Sequence, residues 1–128
     1  MNKFNWNQHF NSKLGNLYPD EFVIRSTAKK FGIKSINLKN NRNKINILDI
    51  GCGVGNNSMF FAQQGFNVFA YDSSTSAINI LKKNLKFYKN FHARTLNFSE
   101  MKNYYNSNFF DLICDCTSLQ HDEVNTYY

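Results

Sequence analysis

Residues 45–72 read I-N-I-L-D-I-G-C-G-V-G-N-N-S-M-F-F-A-Q-Q-G-F-N-V-F-A-Y-D. An apolar run leads to Asp49 and Ile50, then breaks on glycines at 51, 53 and 55. A short helical stretch follows, closes at Gly65, and gives way to a second apolar run ending in Asp72. This predicts a strand, a glycine turn, a helix and a second strand. Apolar residues in the first strand are nearly continuous, as a parallel strand covered on both faces requires. The glycines let the backbone turn tightly and approach a ligand. The helix after them presents free N–H groups at the same place.

Further units of the same kind follow. Phe66–Tyr71 is the second predicted strand. Ser73 or Ser74 is expected to cap a helix whose Ala77, Ile78, Leu81 and Leu85 form one apolar stripe. Phe91–Leu96 and Phe109–Cys116 are the third and fourth predicted strands, with a polar, irregular stretch at Met101–Asn108 between them. The helix after the glycine turn is expected at Ser58–Gln64, capped by Asn56 or Asn57. The alternation of strand and helix argues for an α/β fold with a doubly wound, mainly parallel, Rossmann-like sheet.

Two helices are expected ahead of the sheet. Trp6, Phe10 and Leu14 share one helical face, and Gly15 can end it. Asp20 is a plausible N-cap for a second helix in which Ile24, Thr27, Ala28 and Phe31 face one way, with Gly32 as the C-cap. These helices either cover one sheet face or bring Trp6 and Tyr18 over a ligand. Residues 1–43 thus read as a helical cover and linker, and residues 44–128 as the α/β core of a single domain.

At 128 residues, with thirteen Phe and seven Tyr, the chain can bury a real core. No apolar run reaches the ~20 residues of a membrane span, and the start has no signal-peptide pattern. A soluble, cytoplasmic protein with no membrane partner is expected. Cys52, Cys114 and Cys116 lack metal-ligand spacing and read as buried reduced thiols, with no metal site. The net charge of +6 is spread among many Asn. Its densest stretch, Lys34–Lys44, reads as a solvated linker; nucleic-acid binding would want aromatics interleaved on one basic face, and is not expected.

Ligands of open parallel sheets sit outside the carboxyl ends of the strands. Asp49, Gly51, Gly53, Asp72, Asn97 and residues 115–121 all fall there. Asp72 lies twenty-one residues after Gly51, where an acid can accept both hydroxyls of a ribose. A dinucleotide fingerprint would place its third glycine at Asn56, and a phosphate loop would need G-K-S or G-K-T. Neither is present.

The motif I-L-D-I-G-C-G-V-G followed by V-F-A-Y-D resembles that of the class I S-adenosylmethionine-dependent methyltransferases. The resemblance covers Lys44 to about His121. It implies that the cofactor is S-adenosylmethionine, bound by Asp49, Gly51, Cys52, Gly53, Asp72, Ser73, Asn97 and Phe98. Asp49 would favour the cofactor's ammonium, Asp72 would bind the ribose, and Asn97 with Phe98 would meet the adenine. Thr117 to His121 would lie near the sulfonium and the acceptor. His121 is the candidate base for acceptors that need one; the alternative is a structural or surface histidine. The resemblance also implies a single, incomplete methyltransferase domain over residues 1–128, truncated after about the fourth strand, which would lie bare at a sheet edge. The acceptor is open among small molecules, sugars, lipids and proteins, a small molecule being the first expectation. The rival expectation is a non-catalytic remnant or cofactor-binding subunit.

Overall fold

The computed structural model describes residue 5, residues 18–32 and residues 41–116 of the chain. Its elements are α1 (Glu21–Phe31), β1 (Asn46–Ile50), α2 (Asn56–Gln63), β2 (Asn67–Asp72), α3 (Thr75–Asn84), β3 (Phe91–Thr95) and β4 (Leu112–Asp115). The four strands form one parallel sheet in the order β3-β2-β1-β4. Ile50 of β1 pairs with Tyr71 on one side and with Asp115 on the other.

Burial follows strand position. The central strands are hidden on both faces: Ile47, Val68 and Ala70 are fully buried toward one side, Leu48, Phe69 and Tyr71 nearly so toward the other. The edge strands β3 and β4 alternate, with Phe91, Ala93, Leu112 and Cys114 turned inward and His92, Arg94, Ile113 and Asp115 exposed. Continuous apolar runs mark inner strands and alternation marks the edges.

The first face carries the main core. Phe61, Phe66, Ile78, Leu81 and Leu85 are buried there against Ile47, Val68 and Ala70. They come from α2, α3 and their flanks, while Val23, Ile24 and Phe31 bring α1 onto the same side. So the described front helix does cover a sheet face. Tyr18, just ahead of it, is 79% exposed. The Trp6–Leu14 helix lies outside the described residues.

The second face is covered by the link from β3 to β4. Met101, Phe98, Tyr105 and Phe110 pack there on Leu48, Ile50, Phe69 and Tyr71. The chain steps outward from β1 to β2 to β3, then returns past β1 to lay down β4. Right-handed crossovers require the return link to pass over the opposite face. The winding reverses between β1 and β4, which is where such sheets hold ligands.

Four local expectations are corrected. The α2 helix starts at Asn56 with Gly55 as its N-cap at φ +96°, and no side chain caps it. A β-carbon on Gly55 would lie 2.9 Å from Leu81 Cγ, so this glycine serves the close approach of α2 to α3. The link after β3 is not wholly irregular: Phe98–Asn103 is a 3-10 helix with a capping box between Asn97 and Glu100. The fourth strand is shorter than the apolar run suggested, because Asn108 turns at φ +65° and Phe109 and Phe110 join an aromatic cluster instead. The Lys34–Lys44 stretch is not simply solvated, since Arg42 is buried. Its guanidinium donates to the carbonyls of Gly32 and Gln64 and to Gln64 Oε1, and lies 5.3 Å from the Phe66 ring centre. Ser74, by contrast, caps α3 as its sequence position suggests, accepting from the Ala77 N–H.

Candidate functional site

The glycine turn is held from the β2 side by two successive residues. The Cys52 N–H donates to the Tyr71 carbonyl at 3.0 Å, which carries β1–β2 pairing past the end of β1. Asp72, at the end of β2, then accepts the Gly53 N–H on Oδ2 at 2.9 Å and the Ser74 N–H on Oδ1 at 2.8 Å. Gly51 and Gly53 both sit at positive φ, 61° and 55°, which side chains other than glycine rarely adopt. Asp72 therefore does local structural work before any ligand arrives. Each carboxylate oxygen has a second lone pair for a further donor.

Asp49 is turned toward the helices, at 2% exposure, and Ser58 Oγ donates to its Oδ2 at 2.6 Å. Ser58 sits in the first turn of α2, so this bond fastens the helix to β1 behind the glycine turn. Burial pushes the Asp49 carboxyl up to about 7; the Ser58 bond opposes this, and the carboxylates of Asp72 and Asp115 add to it. Asp72 is also raised, by burial against the pull of its two backbone donors. Three carboxylates thus stand at the carboxyl ends of three adjacent strands, β2, β1 and β4. The charges that act most on Asp49 are all of its own sign.

The thiols are free and none is activated. Cys52 is pushed well above 9, by burial and then by Asp49 and Asp72. Burial raises Cys114 and Cys116 as well. Cys116 accepts from Asn57 Nδ2 at 3.3 Å, and Asn57 Oδ1 accepts the Asp20 N–H at 2.9 Å. One carboxamide so links the start of α1, the first turn of α2 and the end of β4. Among the described residues no group of three His, Cys, Asp or Glu side chains is placed to hold a metal, and no helix is long and apolar enough to cross a membrane.

Of the expected site residues, Asp49, Gly51, Cys52, Gly53 and Asp72 come together at the turn. Ser73 is exposed beside Asp72. Asn97 follows β3 at the same end of the sheet, with its side chain and backbone engaged in the capping box with Glu100. Phe98 is half-buried in the second-face core. Thr117 to His121 lie outside the described residues. Sequence reasoning missed Ser58 and Asn57; the one signal available was their place in the first turn after the glycines, where polar side chains reach neighbouring backbone and strand ends.

The arrangement sets a buried carboxyl, Asp49, and a part-exposed one, Asp72, at the ends of adjacent parallel strands. Comparison with known proteins agrees with this reading of the fold. The model of a methyltransferase domain matches residues 41–127. A putative S-adenosyl-L-methionine-dependent methyltransferase from Methanococcus maripaludis superposes with a TM-score of 0.66 at 22% identity, covering 98% of this chain and 57% of that one. A protein described in the conversion of a disulfide bond into a thioacetal group during echinomycin biosynthesis gives 0.62 at 19% identity, covering 85% and 41%. The bifunctional kinase-methyltransferase WbdD gives 0.58 at 18%, covering 89% and 28%. The chain thus spans less than two-thirds of each of these neighbours, and at such identities the likeness is one of fold. No curated protein matches it.

Proposed function

This chain belongs to the class I methyltransferase family, and from that premise we propose that it binds S-adenosylmethionine at the glycine turn and serves methyl transfer to a small-molecule acceptor. The observation that carries this is the pair of bonds from Gly53 and Ser74 to Asp72. They hold one carboxylate rigidly between the turn and the end of β2, where a ribose would meet it. Asp49, Asp72 and Asp115 suit a ligand bearing an ammonium and a sulfonium. Gly51, Cys52 and Gly53 would pass close to its methionine part. Ser73, Asn97 and Phe98 lie on the side where the adenine would rest, Asn97 and Phe98 already engaged as described.

When bound, the cofactor supplies an electrophilic methyl group with a neutral thioether as the leaving group. The chain's own contribution is placement, because in-line displacement gains most from holding the two reactants close and aligned. Asp72, fixed by two backbone donors, would orient the sugar, while Asp49, tied to Ser58 behind the turn, would act on the ligand through its charge. Asp115, exposed at the end of β4, would face an acceptor amine, and His121 would act as base where the acceptor must lose a proton.

Calorimetric titration with S-adenosylmethionine, S-adenosylhomocysteine and NAD tests the reading. The two adenosyl compounds should bind and NAD should not; NAD binding alone would overturn it. Asp72→Ala should weaken S-adenosylhomocysteine by about 1.5–3 kcal/mol, the scale of hydrogen bonds to a charged group.

A second reading is favoured by the edge of the sheet. Ile113 of β4 is 59% exposed, and among the described residues no strand pairs with the outer side of β4. Under this reading these strands bind the cofactor but transfer requires further strands supplied from elsewhere. Tight binding without turnover over a panel of acceptors would distinguish it.

A further inference from the structure

On the sheet face away from the helices, a cleft of about 210 Å³ opens between β2, β3 and the chain past the 3-10 helix. Phe69, Tyr71, His92, Ala93, Arg94 and Tyr105 line it. It is distinct from the glycine turn. Successive side chains of a strand point to opposite faces, so Tyr71 enters the cleft while Asp72, the next residue, reaches the turn. It also lies on the β3 side of the sheet, away from the β4 edge.

Its walls are aromatic and ordered among themselves. His92 stacks on Phe69 with ring centres 4.7 Å apart and planes 18° apart. Tyr105 stands nearly perpendicular to Phe69 at 5.6 Å and lies 6.0 Å from Tyr71. Phe69 and Tyr71 are themselves almost wholly buried, so the rings that the cleft presents to a ligand are chiefly His92 and Tyr105. The volume is below the ~300 Å³ at which pockets begin to take drug-sized ligands, so the fit is to a single ring.

The polar groups choose the charge. Arg94 follows His92 by two residues on the same face of β3, and its guanidinium lies 5.0 Å from the Tyr104 ring centre. No acid lines the cleft, and Arg94 makes no ion pair among the described residues. A guanidinium beside a ring still has N–H donors of its planar fork to offer a carboxylate. The phenols of Tyr71 and Tyr105 are further donors. Burial raises the Tyr105 phenol, so it keeps its proton at neutral pH.

We propose that this cleft is a second binding site, for a single-ring aromatic carboxylate whose anionic group meets Arg94 and whose ring lies against the aromatic walls. The proposal stands apart from the cofactor reading, because no residue of the glycine turn takes part.

The test is a titration of the full chain, followed by amide chemical shifts, with benzoate, benzamide and cyclohexanecarboxylate. Benzoate should saturate shifts at residues 69–71, 92–94 and 105. Benzamide, which lacks the charge, and cyclohexanecarboxylate, which lacks the flat ring, should each bind about fivefold more weakly or worse. Arg94→Gln should weaken benzoate to a similar degree, and Arg94→Lys should restore part of the loss. Equal binding of benzoate and benzamide, unchanged affinity in Arg94→Gln, or shifts centred on Gly51–Gly55 would overturn the proposal. Should Arg94→Gln fail to fold, the comparison of the three probes on the wild-type chain decides alone.

Discussion

Replacing Asp49 by asparagine separates the charge of this side chain from its shape. In the unfolded chain the carboxyl loses its proton near the ordinary value of 3.8; in the folded protein it keeps it until about 7. Between those limits the folded state binds the extra proton. Its contribution to stability is therefore full below about pH 4 and is lost as pH rises through about 7. Each pH unit inside the window is worth roughly 1.4 kcal/mol. From pH 5 to pH 8 the wild type should lose roughly 2–3 kcal/mol on account of this one group. Asparagine has nearly the same size and keeps an oxygen for the Ser58 hydroxyl, but cannot ionise. Urea unfolding of both proteins at pH 5 and pH 8 gives the answer as a difference of differences. The gap in unfolding free energy should move in favour of Asp49→Asn by roughly 2–3 kcal/mol between the two pH values. Asp72, also raised and facing the same space, titrates in both proteins and largely cancels. Cys52 and Cys114 stay protonated across this range. A movement below about 0.5 kcal/mol would refute the reasoning, for Asp49 would then be an ordinary ionised carboxylate in the folded protein.

Three other substitutions test the frame around the turn. Gly55→Ala combines a left-handed backbone with a 2.9 Å approach to Leu81, and should cost about 2–4 kcal/mol in urea unfolding; a loss under 1 kcal/mol would mean that α2 and α3 can part easily. Arg42→Met strands the carbonyls of Gly32 and Gln64 and should cost about 2–4 kcal/mol by the same measurement, whereas a near-neutral result would show those carbonyls reaching water. Ile113→Lys, at a 59% exposed edge position, should change stability by less than about 0.5 kcal/mol and slow concentration-dependent aggregation followed by light scattering. A loss above ~1.5 kcal/mol would show that Ile113 is covered after all.

What sequence could disclose here was what is local and periodic. Two strands with unbroken apolar runs announced a covered sheet, and the stripe Ala77–Ile78–Leu81–Leu85 announced α3. Asp20, Ser74 and Gly32 capped where their chemistry placed them. The alternation of strand and helix made the parallel sheet legible, the edge place of β4 came from the family resemblance, and among the described residues the bonded strand pairs agree with both. Contacts between segments distant in the chain stayed hidden. Arg42 sits in a run of Lys and Asn that looks like any solvated linker; its burial depends on carbonyls 10 and 22 residues away. Gly55 looked like a glycine one place early in a ligand motif, yet its small size answers to Leu81. Asp72 was legible as an acid in register with the glycines, but not as the acceptor that fixes Gly53. The aromatic group of Phe69, Tyr105, Phe109 and Phe110 comes from two separated stretches, and no spacing rule joins them.

The carboxamide of Asn57 draws together partners 37 and 59 positions away along the chain. Such a clasp can close only after the front helix has docked and the last described strand has joined the sheet. The rim where winding reverses is thus closed by bonds that no single segment can make alone. Its oxygen serves one partner and its nitrogen the other, so a single side chain ties helix entrance and strand exit to the same point.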